Sequence, residues 1–354
     1  MKGTSLSLSG RRYALAPQMR DYDTLEEKVW LPYVMTFQRP LCNTPSFSTD
    51  AYGFRGTLWK GKRLGWTEYN DADHSRAALI GGSVAFGVGA SSDAFTLASL
   101  LNERQERVWF NLAGRGFNST QELLIFLLYL PRTVETVLLL SGINNLALSY
   151  LSQSVSPVYN SFYAQSVFER GLNRGQLVGV GGTLRLLAQE IGSTLFPRGF
   201  SPGESRKAGF PSSNGKAPGV QPDKVEDILQ CFRRDMRLWA LLRDAMGFRL
   251  TFVFQPLATW IDKAFTPEEQ EVFSILDQDD PLGSWSGIVA HLQGEEKRYV
   301  SEVRDICRSL SVPFLNLNAC PSFREKRWLF VDRAHLTNEG YALCAEEISK
   351  ECFR

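Results

Sequence analysis

Ala77-Ala78-Leu79-Ile80-Gly81-Gly82-Ser83 is a short apolar run closed by two glycines and a serine. Four apolar residues stopped by Gly-Gly suit a strand buried on both faces, the environment of a parallel sheet. A helix is predicted next, over Asp93 to Glu103, with Leu97, Leu100 and Leu101 at helical spacing. The unit then recurs. Val108 to Leu112 reads as a second strand and about Ser119 to Leu130 as its helix. Val134 to Leu140, Leu250 to Phe254 and Val312 to Leu317 read as the third, fourth and fifth strands. Within Glu226 to Met246, the residues Leu229, Phe232, Met236, Trp239, Leu242 and Met246 keep a three-to-four spacing, which predicts an amphipathic helix. Strands alternating with helices predict an α/β protein, a three-layer α/β/α fold around a parallel sheet of about five strands.

Two regions stand outside that pattern. Residues 1–70 are rich in aromatics, Pro and Gly with few periodic segments, and are expected to form an N-terminal extension packing on the core domain of 71–354. Tyr150 to Gly182 is aromatic and Gly-rich, and Phe196 to Asp223 holds five Pro and five Gly. The latter composition buries too little apolar surface to order itself. An insertion is therefore expected at 150–225, with a flexible loop at 196–223.

Composition narrows the function classes. The 354 residues are 44% apolar and 22% charged, as in a globular protein, and the net charge of +1 advertises neither nucleic acid nor an anionic membrane as partner. The longest apolar run, Leu123 to Leu130, is too short to span a bilayer. Met1 to Pro17 lacks the apolar stretch of a secretory signal, and six cysteines without a C-x-x-C pair read as free thiols, so a cytoplasmic location is expected. No His/Cys/carboxylate cluster has ligand spacing, so no metal and no cofactor are predicted.

In a parallel sheet, ligands bind at the carboxyl ends of the strands. Those ends carry Gly82-Ser83, Ala113-Gly114-Arg115-Gly116, Ser141-Gly142-Ile143-Asn144-Asn145 and, after the last strand, Asp332-Arg333-Ala334-His335. A serine hydroxyl needs a base, and of only three histidines (His74, His291, His335) His335 alone falls on this edge. Asp332, three residues earlier, can hold the imidazole in the required tautomer. Donors for a developing oxyanion are at hand in the Ser83 and Gly116 N–H groups and the Asn144 amide, and one such donor is typically worth ~10²–10³ in rate.

With those residues in view, 77–350 resembles the SGNH hydrolases, or GDSL esterases. Gly81-Gly82-Ser83 is similar to their first block, Gly116 to the second, Gly142-Ile143-Asn144-Asn145 to the third and Asp332-Arg333-Ala334-His335 to the fifth. The segment Asp50 to Gly56 is similar to one that precedes the first block in many bacterial members. The resemblance implies a flavodoxin-like fold, a Ser83–His335–Asp332 triad and an oxyanion hole of Ser83, Gly116 and Asn144. It implies a small-molecule or saccharide acyl ester as substrate, O-acetylated carbohydrate among them. An acyltransferase on the same scaffold, or a silent binding protein, is the alternative. Two positions depart from the family: Gly82 stands where Asp is usual, and Asn145 where Asp is common.

Blander readings compete at each position. Ser83 could be a turn serine capping a helix, and Gly114 rather than Gly116 could be the second-block glycine, although Gly116 is better spaced from Ser119-Thr120. A phosphate cradle at Gly81 to Gly89 lacks both the P-loop Lys-Ser/Thr and a G-x-G-x-x-G. Asn144 and Asn145 could cap the next helix. His74 reads as a solvated residue and His291 as a helix-face residue. The aromatics Tyr150, Tyr159, Phe162, Tyr163 and Phe168 read as core of the insertion before pocket lining.

Overall fold

The chain opens with two short helices, α1 (Leu8–Leu15) and α2 (Met19–Thr24), in a computed structural model that describes residues 7–24, 28–71, 74–151, 158, 160–163, 165, 223–280 and 284–353. Two antiparallel hairpins follow, β1 (Lys28–Leu31) with β2 (Met35–Gln38) and β3 (Thr57–Trp59) with β4 (Lys62–Leu64), then helix α3 (Trp66–Asp71). These elements are three to eight residues long, too short for hydrophobic periodicity to reveal them.

The core then alternates as expected. It comprises β5 (Arg76–Gly81), α4 (Ser83–Phe86), α5 (Leu97–Arg104), β6 (Val108–Asn111), α6 (Ser119–Leu128), β7 (Thr136–Ser141) and α7 (Ile143–Leu151). It continues with α8 (Asp223–Met246), β8 (Arg249–Phe254), α9 (Pro267–Gln278), α10 (Ser284–Ser309), β9 (Phe314–Asn316) and α11 (Asn338–Cys352). The five core strands are parallel in the order β6-β5-β7-β8-β9. The chain leaves β5 to one side for β6 and returns to its other side for β7. That reversal is the topological switch point, where the carboxyl ends of neighbouring strands splay and leave a crevice.

Alternate residues of each strand feed two cores. Ala78, Ile80, Phe110, Val137, Leu139, Leu250 and Phe252 pack with α6, α8 and α10 on one face. Ala77, Leu79, Trp109, Leu138, Leu140 and Val253 pack with α4, α5 and α11 on the other. The three-layer α/β/α architecture follows from the continuous burial of the central strands.

Several boundaries differ from the sequence expectation; the third strand, for one, spans Thr136–Ser141 rather than Val134 to Leu140. The first helix does not start at Asp93: residues Asp93–Phe95 form a 3₁₀ turn, and α5 begins after Thr96, whose hydroxyl caps it. Asp93 is drawn inward instead, accepting from the fully buried Arg55 at 2.8 Å and from Ser48. Helix α8 begins at Asp223 rather than Glu226, and β9 is only three residues long. The expected insertion at 150–225, with its loop at 196–223, lies almost wholly outside the described residues. Tyr159 and Phe168 lie there too, while Tyr150 stacks on the buried His291 from α10. His74 is exposed and rests against Trp59. No described helix is long and apolar enough to cross a membrane.

Candidate active site

Ser83 is the first residue of α4, immediately beyond β5. The turn into it runs close to its neighbours at two glycines. A Cβ on Gly81 would stand 2.0 Å from the Leu140 carbonyl oxygen, because β7 passes directly alongside. A Cβ on Gly82 would stand 2.5 Å from the Asn144 side-chain nitrogen. Both distances are far inside van der Waals contact, so the strand-to-helix corner is built around bare backbone. A side chain at Gly82 would require the Asn144 amide to shift.

His335 arrives from the far end of the chain. Its segment is a tight loop closed by a bridge between Phe330 and Leu336 and by the Val331 N–H donating to the His335 carbonyl at 2.9 Å. Thr337 then caps α11. Inside the loop, Asp332 Oδ1 accepts the N–H groups of Ala334 (2.8 Å) and His335 (2.7 Å). This is the turn that Asp favours through bonds to the backbone two and three residues on. It explains the Asp-x-x-His spacing, because one carboxylate oxygen shapes the loop and the other is left for the ring.

Asp332 Oδ2 lies 2.7 Å from His335 Nδ1, and His335 Nε2 lies 2.8 Å from Ser83 Oγ. With Nδ1–H donating to the carboxylate, Nε2 accepts and the Ser83 hydroxyl donates. Burial opposes ionisation of Asp332, but the His335 ring, the Arg12 charge and the Ala334 N–H outweigh it and hold the carboxyl well below the usual range.

Gly116 and Asn144 converge on the same corner. Gly116 sits at φ +79°, a backbone conformation that suits glycine, and its N–H makes no hydrogen bond with the described residues. The Gly114 N–H, in contrast, donates to the Gly81 carbonyl at 3.1 Å. Of the two glycines weighed from the sequence, Gly116 therefore keeps its donor unused among the described residues. Asn144 donates one amide hydrogen to the Phe117 carbonyl at 2.7 Å, which leaves its second for another acceptor.

Around the crevice, Arg12 and Asp23 carried no sequence signal, while Tyr163, read from the sequence as core before pocket lining, is exposed here. Arg12 of α1 forms a 2.6 Å ion pair with Asp23, and Arg115 donates to the Tyr22 carbonyl at 3.1 Å. Burial raises the Asp23 carboxyl, which also senses the Asp332 charge. Tyr163 lies against Gly116, its Cβ 3.0 Å from where a Gly116 Cβ would stand. Residues 8–24 thus contribute charge next to the Asp332 loop, a contact between chain positions more than 300 apart that no local pattern announces. Among the described residues no cluster of three or more His, Cys, Asp or Glu could hold a metal.

No family model matches the chain, and no curated protein matches it. Among solved structures, an acetyl xylan esterase aligns over 78% of this chain and 100% of its own, with 9% identity and a TM-score of 0.38. So slight a likeness says nothing about activity.

Proposed function

We propose that the chain is an SGNH-type serine hydrolase that cleaves carboxylic esters through an acyl-serine on Ser83. The observation that carries this reading is the unbroken line Ser83 Oγ–His335–Asp332, with separations of 2.8 and 2.7 Å. Nucleophile, base and orienter stand within hydrogen-bond reach in the order that acyl transfer requires. Ser83 Oγ attacks the ester carbonyl while its proton passes to His335 Nε2. The imidazolium so formed is held by Asp332. Negative charge on the former carbonyl oxygen meets the N–H groups of Ser83 and Gly116 and the spare Asn144 hydrogen. Collapse breaks the ester C–O bond, and His335 returns its proton to the leaving alcohol. Water, deprotonated by His335, then attacks the acyl-serine; the second collapse releases the acid and restores Ser83.

The substrate class within this reading is an O-acylated saccharide. It is supported by the exposed Tyr163 beside Gly116, an aromatic face on which a sugar ring can rest, and by the Arg115 and Asp23 side chains nearby. Such polar groups suit hydroxyl-rich acceptors. The reading is tested with a fluorophosphonate probe and p-nitrophenyl acetate. Adduct mass should map to Ser83, and Ser83→Ala should abolish both labelling and turnover while leaving thermal unfolding unchanged. Retained turnover in that variant would sink the acyl-serine mechanism.

A further inference from the structure

Two adjacent asparagines begin α7, and they do different things. Asn144 is half-buried and reaches the Phe117 carbonyl, as described above. Asn145 is buried and grips the start of α6 with both ends of its amide. Its Oδ1 accepts the Ser119 N–H at 2.9 Å, and its Nδ2 donates to the Ser119 hydroxyl at 3.0 Å. Ser119 follows Gly116 by three residues on the same loop-to-helix corner. The adjoining residues 144 and 145 therefore tie the Gly116 loop to the Asn144 helix at two points, Phe117 and Ser119.

The grip is itself braced. The Ser119 hydroxyl donates to Asp235 Oδ2 at 2.7 Å, Thr120 donates to the same oxygen at 2.8 Å, and Arg234 donates to Asp235 Oδ1. The Ser119 proton is thus committed to Asp235, and only a lone pair faces residue 145. An asparagine can donate to that lone pair; an ionised aspartate cannot, and it would add a charge across the Ser119 hydroxyl from the Asp235 carboxylate of α8. This gives a physical reason for Asn at a position where the resembled family commonly has Asp.

We infer that Asn145 is a positioning residue that sets the separation between the Gly116 N–H and the Asn144 amide, so that both address one oxyanion. The inference rests on the acyl-serine reading. Substrate need not touch Asn145, and its loss acts through misalignment of donors that matter only in the transition state.

The test compares full-length wild type, Ser83→Ala, Asn145→Ala and Asn145→Asp on p-nitrophenyl acetate, with a boronic acid as tetrahedral analogue. Asn145→Ala is expected to lower kcat by about 10- to 100-fold, to change KM by less than about twofold, and to weaken the boronate in step with kcat. Asn145→Asp, nearly isosteric, should be impaired at about pH 8, and its kcat relative to wild type should rise as pH falls to about 6. There the new carboxyl gains the proton it needs to donate to Ser119. Wild-type kcat in folded Asn145→Ala overturns the inference, as does an Asn145→Asp deficit that stays flat with pH. If Asn145→Ala fails to fold, the Asn145→Asp profile alone decides. Activity that survives Ser83→Ala is the separate result that defeats the mechanism beneath it.

Discussion

Gly82 shows how one absent side chain shapes the site. The Asn144 amide nitrogen stands 2.5 Å from where its Cβ would be, so Gly82→Ala must push that amide away from the corner holding Ser83. We expect Gly82→Ala to lower kcat by roughly 10- to 100-fold with KM little changed, measured by steady-state kinetics on p-nitrophenyl acetate. Asp332 is the other residue whose two ends matter separately. In Asp332→Asn the backbone bonds at Oδ1 survive, but an amide N–H now faces His335 Nδ1 and forces the tautomer that leaves Nε2 protonated. Turnover should fall by about 10⁴-fold while the melting temperature changes little. A mild loss would mean that the carboxylate does not orient the ring.

At the scale of elements, α6 carries a buried acid against β7. Burial pushes the Glu122 carboxyl up to about 8, despite the Ser141 hydroxyl donating to it at 2.6 Å, and the Asp235 charge adds to the rise. The unfolded chain would ionise this group near its ordinary carboxylate value. Between about pH 4.5 and about 8 the folded state therefore binds the proton that the unfolded state has lost, and stability falls as pH rises, by up to about 1.4 kcal/mol per unit. Glu122→Gln keeps a neutral group at the site and removes that slope. Calorimetry should find the variant gaining on wild type steadily from about pH 5 to about pH 8; parallel curves would show that Glu122 is not the source. The same helix depends on Asn118, whose side chain accepts the Gln121 N–H in a reciprocal capping box and donates to the Ser161 carbonyl. Asn118→Ala should cost about 1 kcal/mol, read from urea denaturation.

Across the whole molecule, the N-terminal residues pack as part of the core they precede. The Tyr22 hydroxyl donates to the Gly87 and Ala90 carbonyls and accepts from Arg55, which is fully buried between Asp93 and the rings of Tyr22, Phe47 and Phe86. Without residues 1–24, Arg55 loses the Tyr22 hydroxyl and ring but keeps Asp93 and the Ser46 carbonyl. Deleting residues 1–24 also opens the space filled by Met19 and Tyr22. We expect this deletion to lower the melting temperature by on the order of 10 °C. A truncated chain that melts with the full-length protein would mean that residues 1–24 are dispensable for stability.

The α/β/α class was legible because each core strand is an apolar run and each long helix carries an apolar stripe; these are local patterns with their own period. The order of the candidate residues along the chain was legible for the same reason, since Ser83, Gly116 and Asn144 each follow a recognisable strand. Other features were invisible. Asp93, in a 3₁₀ turn, pairs with the buried Arg55, the Asn144 amide crowds Gly82, and the Arg12 charge reaches Asp332 across the fold. Sequence by itself therefore determined the layers, the strand ends and the residue types offered there. Only the tertiary structure decided that the Gly114 N–H is spent on the Gly81 carbonyl, that Asn145 grips Ser119, and that the Ser83–His335–Asp332 line closes at hydrogen-bond distance. Those outcomes depend on separations between segments remote in sequence, and such separations are set by packing rather than by local preference.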